Sequence, residues 1–222
     1  MKDFNILTTS PLFRGIEEAD LLGLLSCVEA VEKSCRRGEL LLRRGEKTER
    51  LGLVLKGTVH IVREDFWGNR SIVGLAEPGD VFAESYALTG EPLGVSALAA
   101  VDCTVLFFSA AKAISGCAQV CGFHERLSRN LLGLVAKKNL LLTEKMRHMA
   151  RKTTREKLLS YLSAQALRAG TPEFEIPLDR QQLADFLGVE RSAMSAALGK
   201  LRDEGVLEFR KNRFRLLREE EE

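Results

Sequence analysis

The 222-residue sequence predicts an α+β fold in which an N-terminal all-β region, one long helix and a small helical module ending in a β-hairpin follow one another. Three observations predict it. Gly45, Gly57, Gly68, Gly79 and Gly90 recur 11 or 12 residues apart, each beside another turn-forming residue. Residues 122–148 hold no Pro and a single interior glycine, Gly133. From Thr153 onward, two helix-start signatures precede a basic hairpin pattern.

The first region runs from about residue 29 to 108. Short β-type runs lie between its turns, at 51–55, 59–62, 72–75, 95–101 and 104–108. Strands at this spacing indicate a β-sandwich, roll or barrel. The glycines and the β-branched content exclude helix there. Ahead of it, residues 16–28 predict a short amphipathic helix, and Ser109 is the expected N-cap of a helix after the last strand.

The second region is the long helix, 122–148, which would span about 40 Å at 1.5 Å per residue. Leu127, Leu131, Leu134, Lys138 and Leu141, continued by Lys145 and His148, alternate four and three residues apart. That is a coiled-coil seam with polar interruptions. Packing of the helix on its own β region is the plainer alternative. The a/d-like stripe ranks pairing with a second copy above it.

The third region opens with Thr153-Thr154-Arg155-Glu156, a capping box. Leu158, Leu159 and Leu162 give the helix its apolar face, Gly170-Thr171-Pro172 ends it, and 174–176 is a short strand. Asp179 to Gln182 is a second box-like start, with Arg180 in its first turn as a candidate DNA contact. Residues 179–205 then read as two short helices around Leu187-Gly188-Val189, where Gly188 supplies the positive φ of a helix-turn-helix. Leu183, Leu187, Val189, Met194, Leu198 and Leu201 are spaced to share one core. That leaves Arg191, Ser192, Ser195, Ala196 and Lys200 on the outer face of the second helix. Arginine there can grip guanine O6 and N7 with two hydrogen bonds, and the serines suit phosphate or base contacts. Residues 206–216 read as a hairpin whose turn, Lys211-Asn212 followed by Arg213, forms a basic wing. A helix-turn-helix that binds no DNA is the competing reading. Coincidence of the turn, the Arg/Ser face and the wing disfavours it.

Charge agrees with this. Net charge is +2, but residues 149–218 hold 14 Lys/Arg against 9 Asp/Glu, just ahead of the acidic run 219–222. The N-terminus lacks a signal-peptide core and no apolar run is long enough to span a bilayer, so a cytoplasmic protein without a membrane partner is expected. Five cysteines, Cys27, Cys35, Cys103, Cys117 and Cys121, form no C-x-x-C pair and argue against a disulfide framework. Buried thiols are the expected state.

Residues 36–84, RRGELLLRRGEKTERLGLVLKGTVHIVREDFWGNRSIVGLAEPGDVFAE, resemble the cyclic-nucleotide-binding β-roll of CRP/FNR regulators. Residues 179–209, DRQQLADFLGVERSAMSAALGKLRDEGVLEF, resemble their helix-turn-helix. The likeness covers about residues 10–217. It implies a double-stranded β-helix (jelly-roll) sensor domain at 1–115, a dimerisation helix at 116–148 and a winged helix-turn-helix at 149–222. It implies further a homodimer on palindromic double-stranded DNA, with RNA polymerase as a partner and no enzymatic activity. The family's motif places a ribose-binding Glu after Gly-Asp, matched by Glu84, and a phosphate-binding Arg beside Ser-Ala, where Val95 stands. The two helix positions that meet adenine fall at Leu142 and Thr143. The implied effector site is Phe82, Ala83, Glu84, Tyr86, Val95, Ser96, Leu142 and Thr143. It holds a small molecule other than cyclic AMP, as in a branch common in anaerobic Firmicutes, with no cofactor or metal expected. In the recognition helix Arg191 matches a base-reading arginine, while Ser192 and Ala196 replace the family's best-known Glu and second Arg.

Two other function classes are weighed. A redox or gas sensor would use cysteine or a metal centre, with Cys117, Cys121 and His124 as the suggestive cluster. A packed helical face explains that spacing as well. An enzyme of the cupin type needs several barrel histidines, and the roll holds only His60.

Overall fold

Period-two alternation organises the first half of the chain. The structure, a computed structural model, describes residues 4–65, 67–68, 70–115 and 122–217. Helices α1 (Phe4–Thr9) and α2 (Glu18–Cys27) come first. Strands β1 (Val31–Cys35), β2 (Leu40–Leu42), β3 (Arg50–Lys56), β4 (Val59–Glu64), β5 (Arg70–Ala76), β6 (Val81–Phe82), β7 (Ser96–Ala99) and β8 (Cys103–Ser109) follow, with α3 (Glu84–Thr89) between β6 and β7. They form two antiparallel four-stranded sheets, ordered β1-β8-β3-β6 and β2-β7-β4-β5, which make the predicted roll.

The central strand β8 is buried on both faces, so its sequence CTVLFFS reads as a continuous apolar run. Cys103, Val105 and Phe107 point between the sheets, joining Val54, Val59, Phe82 and Ala97 in one cluster. Leu106 and Phe108 point the other way, joining Leu51, Leu53 and Leu55 beneath a helical layer that supplies Leu12, Phe13, Leu21 and Leu24. Gly52 faces Phe82 across the β3–β6 pair, and a Cβ there would lie 2.4 Å from the Phe82 ring. Short β1, β2 and β6 lack an alternating sequence signal and escape pattern reading.

Ser109 caps α4 (Ala110–Ser115), its Oγ accepting from the Lys112 amide at 3.3 Å. Helix α5 spans Gly122–Met149, as the absence of breakers predicts. The chain divides into two compact units, residues 1–137 and 138–222, at a point inside α5. The second unit contains α6 (Thr154–Ala169), β9 (Glu173–Glu175), α7 (Arg180–Leu187), α8 (Arg191–Asp203), β10 (Leu207–Arg210) and β11 (Arg213–Leu216), with strands ordered β10-β11-β9. Both predicted capping boxes form: Thr153 with Glu156, and Asp179 with Gln182.

The first half of α5 corrects the expected seam. Leu127 and Leu131 are fully buried in the core of their own roll, and Leu134 packs against the same cluster. Asn130 reinforces this by donating to Leu12 O and Arg14 O, both at 2.9 Å. A four-three stripe needs one apolar surface to cover it, and here the roll is that surface. Lys145 and His148 likewise turn to their own unit: the Lys145 ammonium lies 5.3 Å from the Phe186 ring centre, and His148 Nδ1 is 2.8 Å from Ser160 Oγ. Lys138 and Leu141 stay exposed. So do Leu132, Leu140, Leu142 and Met146.

Candidate nucleic-acid interface

The second unit is built around one apolar cluster. Leu158, Tyr161 and Leu162 of α6, Leu183, Ala184 and Leu187 of α7, and Met194, Leu198 and Leu201 of α8 meet there, closed by Phe174, Leu207 and Phe214. Between α7 and α8, Gly188 has φ 61° and ψ 50°, and Val189 N–H donates to Ala184 O at 3.0 Å. A side chain at that φ is strained.

Burying Met194, Leu198 and Leu201 leaves Arg191, Ser192, Ser195, Ala196 and Lys200 of α8 exposed, as the spacing predicts. Among the described residues Arg191, Lys200 and Lys211 form no ion pair, so their charges face solvent. The hairpin turns at Lys211 and Asn212 between directly paired Arg210 and Arg213. Lys211 has φ 56°, and Asn212 Nδ2 donates to Glu175 Oε1 and Ile176 O at 2.8 and 3.1 Å. Arg213 is exposed, 3.7 Å from the Glu175 carboxylate. Exposed Arg210 and Arg215 extend the basic hairpin and were not singled out from sequence, although its alternation already placed them outward.

Arg180 behaves differently from its neighbours. Its guanidinium lies over the Phe209 and Phe214 rings, 4.8 and 5.1 Å from their centres. Burial pushes its pKa below the ordinary arginine value. Arg202 approaches the same Phe209 ring at 6.0 Å. No sequence signal marks this pairing, because the aromatic residues lie far along the chain.

In the roll, Phe82 is buried and meets Phe107 edge-on at 5.9 Å. Ala83 sits at φ 60° as the N-cap of α3, and Glu84, its first residue, is 6% exposed. Tyr86 reaches across to the following segment: a Cβ on Gly94 would stand 2.9 Å from its hydroxyl. Val95 is half-buried, and Ser96 Oγ accepts from the Arg44 amide at 2.9 Å. The sequence did not single out Arg44, whose side chain donates to Glu64 O. Leu142 and Thr143 are exposed residues of the second unit. Cys117 and Cys121 lie outside the described residues. His124 is 4% exposed, and among the described residues neither ring nitrogen has a hydrogen-bond partner. Among the described residues no three potential metal ligands cluster, and no helix is long and apolar enough to cross a membrane.

Residues 32–119 match the family described as cyclic nucleotide-binding domain, and residues 156–221 the family described as Crp-like helix-turn-helix domain. The nitrogen fixation regulation protein FixK of Azorhizobium caulinodans is 30% identical over 181 residues, covering 77% of this chain and 68% of its own. The transcriptional activator FnrL of Cereibacter sphaeroides is 24% identical over 184 residues, covering 79% and 71%. Among solved structures, CprK complexed with OCPA superposes with TM-score 0.65 at 14% identity over 89% of both chains. The c-di-GMP-responsive regulator CLP of Xanthomonas campestris does so with TM-score 0.58 at 16% identity, covering 91% and 100%. These two superpositions establish the fold.

Proposed function

Since the chain belongs to the CRP/FNR family of DNA-binding transcription regulators, we propose that it acts as a homodimer on palindromic operators under control of a small molecule in the roll. The observation that carries the reading is α8, whose inner face is buried and whose outer face offers Arg191, Ser192, Ser195, Ala196 and Lys200 beside a basic wing. In this arrangement α8 enters the major groove, Arg191 reads a base edge, and Lys211 and Arg213 hold phosphates. The protein works in the cytoplasm and touches RNA polymerase when bound. Selection of full-length protein on random double-stranded DNA tests it. The expected product is an inverted repeat with half-site centres about one helical turn, roughly 34 Å, apart. Enrichment of unrelated or single sites would overturn it.

Dimerisation uses α5 through a seam other than the one first read. Exposed Leu132, Asn139, Leu142 and Met146, with half-buried Val135, follow the same three- and four-residue steps. A lone Asn at an a-type position specifies register and two strands. The proposed functional division is a sensor at 1–115, a dimerisation segment at 116–148 and a DNA-binding domain at 149–222.

The effector is not cyclic AMP. Val95 stands where the family's phosphate-binding arginine would be. An unpaired buried charge costs several kcal/mol. The flanking Phe82, Tyr86 and Val95 suit an apolar or aromatic ligand. A second reading, a redox or gas sensor with a metal centre, is favoured by the buried His124 ring, which has no hydrogen-bond partner among the described residues. An absorption spectrum of protein purified from its own host separates the two, since only a metal centre gives a visible band.

A further inference from the structure

Cys35 and Cys103 stand directly opposite each other in the β1–β8 ladder. Each is 4% exposed, and both belong to the cluster between the two sheets. Opposed residues of antiparallel strands have Cα atoms about 4.5–5.5 Å apart. A disulfide bridges Cα separations of about 4.4–6.8 Å. The backbone spacing of the pair therefore falls within the range that a disulfide bridges.

Three turns meet beside this pair and close that end of the roll. Arg37 N–H donates to Asp102 Oδ1 at 2.8 Å, Gly38 N–H to Ala99 O at 2.8 Å, and Ala100 N–H to Thr58 O at 2.9 Å. Gly57 lies against Cys103, where an added Cβ would come within 2.8 Å of both its Cα and Cβ. These contacts are short turns rather than sheet interior, so the lid over the thiols can open locally without breaking the ladder.

We propose that Cys35 and Cys103 form a reversible dithiol–disulfide site, closed by a small peroxide and reopened by a thiol reductant. In the first step the Cys35 sulfur, having lost its proton, attacks one peroxide oxygen. The O–O bond breaks, and Cys35 becomes a sulfenic acid as one water leaves. In the second step the deprotonated Cys103 sulfur attacks the Cys35 sulfur. The S–S bond forms, the S–O bond breaks, and the departing hydroxide takes up the Cys103 proton as a second water. Two thiols lose two electrons, and one peroxide gains them. Burial pushes both thiols above their usual range. Glu39 reinforces burial at both sulfurs and Lys33 opposes it at both, while Cys35 and Asp102 add to the rise at Cys103. Burial keeps the pair protonated and reduced until the turns open. The site is independent of the DNA-binding reading and stands or falls without it.

The test uses full-length wild-type protein exposed to hydrogen peroxide. It is then denatured with iodoacetamide, digested and mapped by mass spectrometry. A Cys35–Cys103 linked peptide in most molecules, lost on adding dithiothreitol, is the expected result. Titration against oxidised and reduced dithiothreitol should show one two-electron transition. In Cys103→Ser, dimedone should trap the sulfenic acid at Cys35. The proposal is overturned if both thiols stay alkylatable under peroxide that oxidises Cys27, or if either pairs with another cysteine instead. Because the mapping is done on wild type, a variant that fails to fold leaves the outcome decisive.

Discussion

Individual side chains of the C-terminal unit divide into those that face outward unpaired and those that hold the unit together, and the two kinds make opposite predictions. Arg191 is exposed at the start of α8 and makes no ion pair among the described residues. A two-pronged arginine–guanine contact is worth about 1–3 kcal/mol of discrimination. Arg191→Ala should therefore weaken binding to the selected operator by about that amount and leave random DNA nearly unaffected, as read by fluorescence anisotropy. Equal losses on both would assign it to phosphate. Arg180, grouped with the DNA contacts on its position in the first turn of α7, has its guanidinium on Phe209 and Phe214. Partly desolvated cation–π pairs contribute about 0.5–2 kcal/mol. Arg180→Ala should lower stability in urea by about 1–2 kcal/mol while the salt dependence of DNA binding keeps its slope. A slope reduced by about one unit would instead make Arg180 a phosphate contact.

At the scale of elements, α5 carries two stripes with the same step and different partners. Leu127→Ala removes a fully buried side chain from the roll and should cost about 2–5 kcal/mol of stability without changing the association state. Leu132→Asp with Leu142→Asp should keep the roll folded and produce monomers in ultracentrifugation. Each Leu buried between copies is worth roughly 1.5–3 kcal/mol. A dimer that persists at low concentration would place the interface elsewhere. The end of α5 meets α6 through His148, which is 1% exposed and edge-on to Tyr161. Burial pushes its pKa below the ordinary histidine value of about 6.5, and Arg147 pushes the same way, against Glu144. Unfolded chains then bind a proton that the native state refuses. The stability contribution is complete above about pH 6.5 and is lost as pH falls toward the lower native value. Thermal midpoints of wild type should fall between about pH 7 and pH 5. His148→Gln should show a shallower fall over the same range, and equal slopes would exclude His148 as the responsible group.

For the whole molecule, the central expectation is a regulator whose ligand differs from the nucleotide that its roll family is described by. Calorimetry on the full-length protein should detect no binding of cyclic AMP at micromolar concentrations. Val95→Arg should restore measurable affinity if the missing phosphate partner is the barrier. Tight binding by wild type would overturn the expectation that cyclic AMP is not the effector.

The sequence by itself determined what depends on near neighbours. The capping boxes at Thr153 and Asp179, the left-handed Gly188, the two-residue turn at Lys211-Asn212 and the evenly spaced glycines of the roll each set local backbone geometry, and each is found where it is read. Order of elements and fold class follow from them. Tertiary structure alone decided what covers each face. Period tells that Leu127, Leu131 and Leu134 share a side of α5, but only the folded roll shows that the side is already occupied and that Leu132 and Leu142 face out. The same holds for Arg180 on the wing aromatics and for Cys35 opposite Cys103, pairs made by strands and helices distant in the chain. Spacing fixes direction from the backbone, whereas the partner in that direction is set by long-range packing that no local pattern encodes.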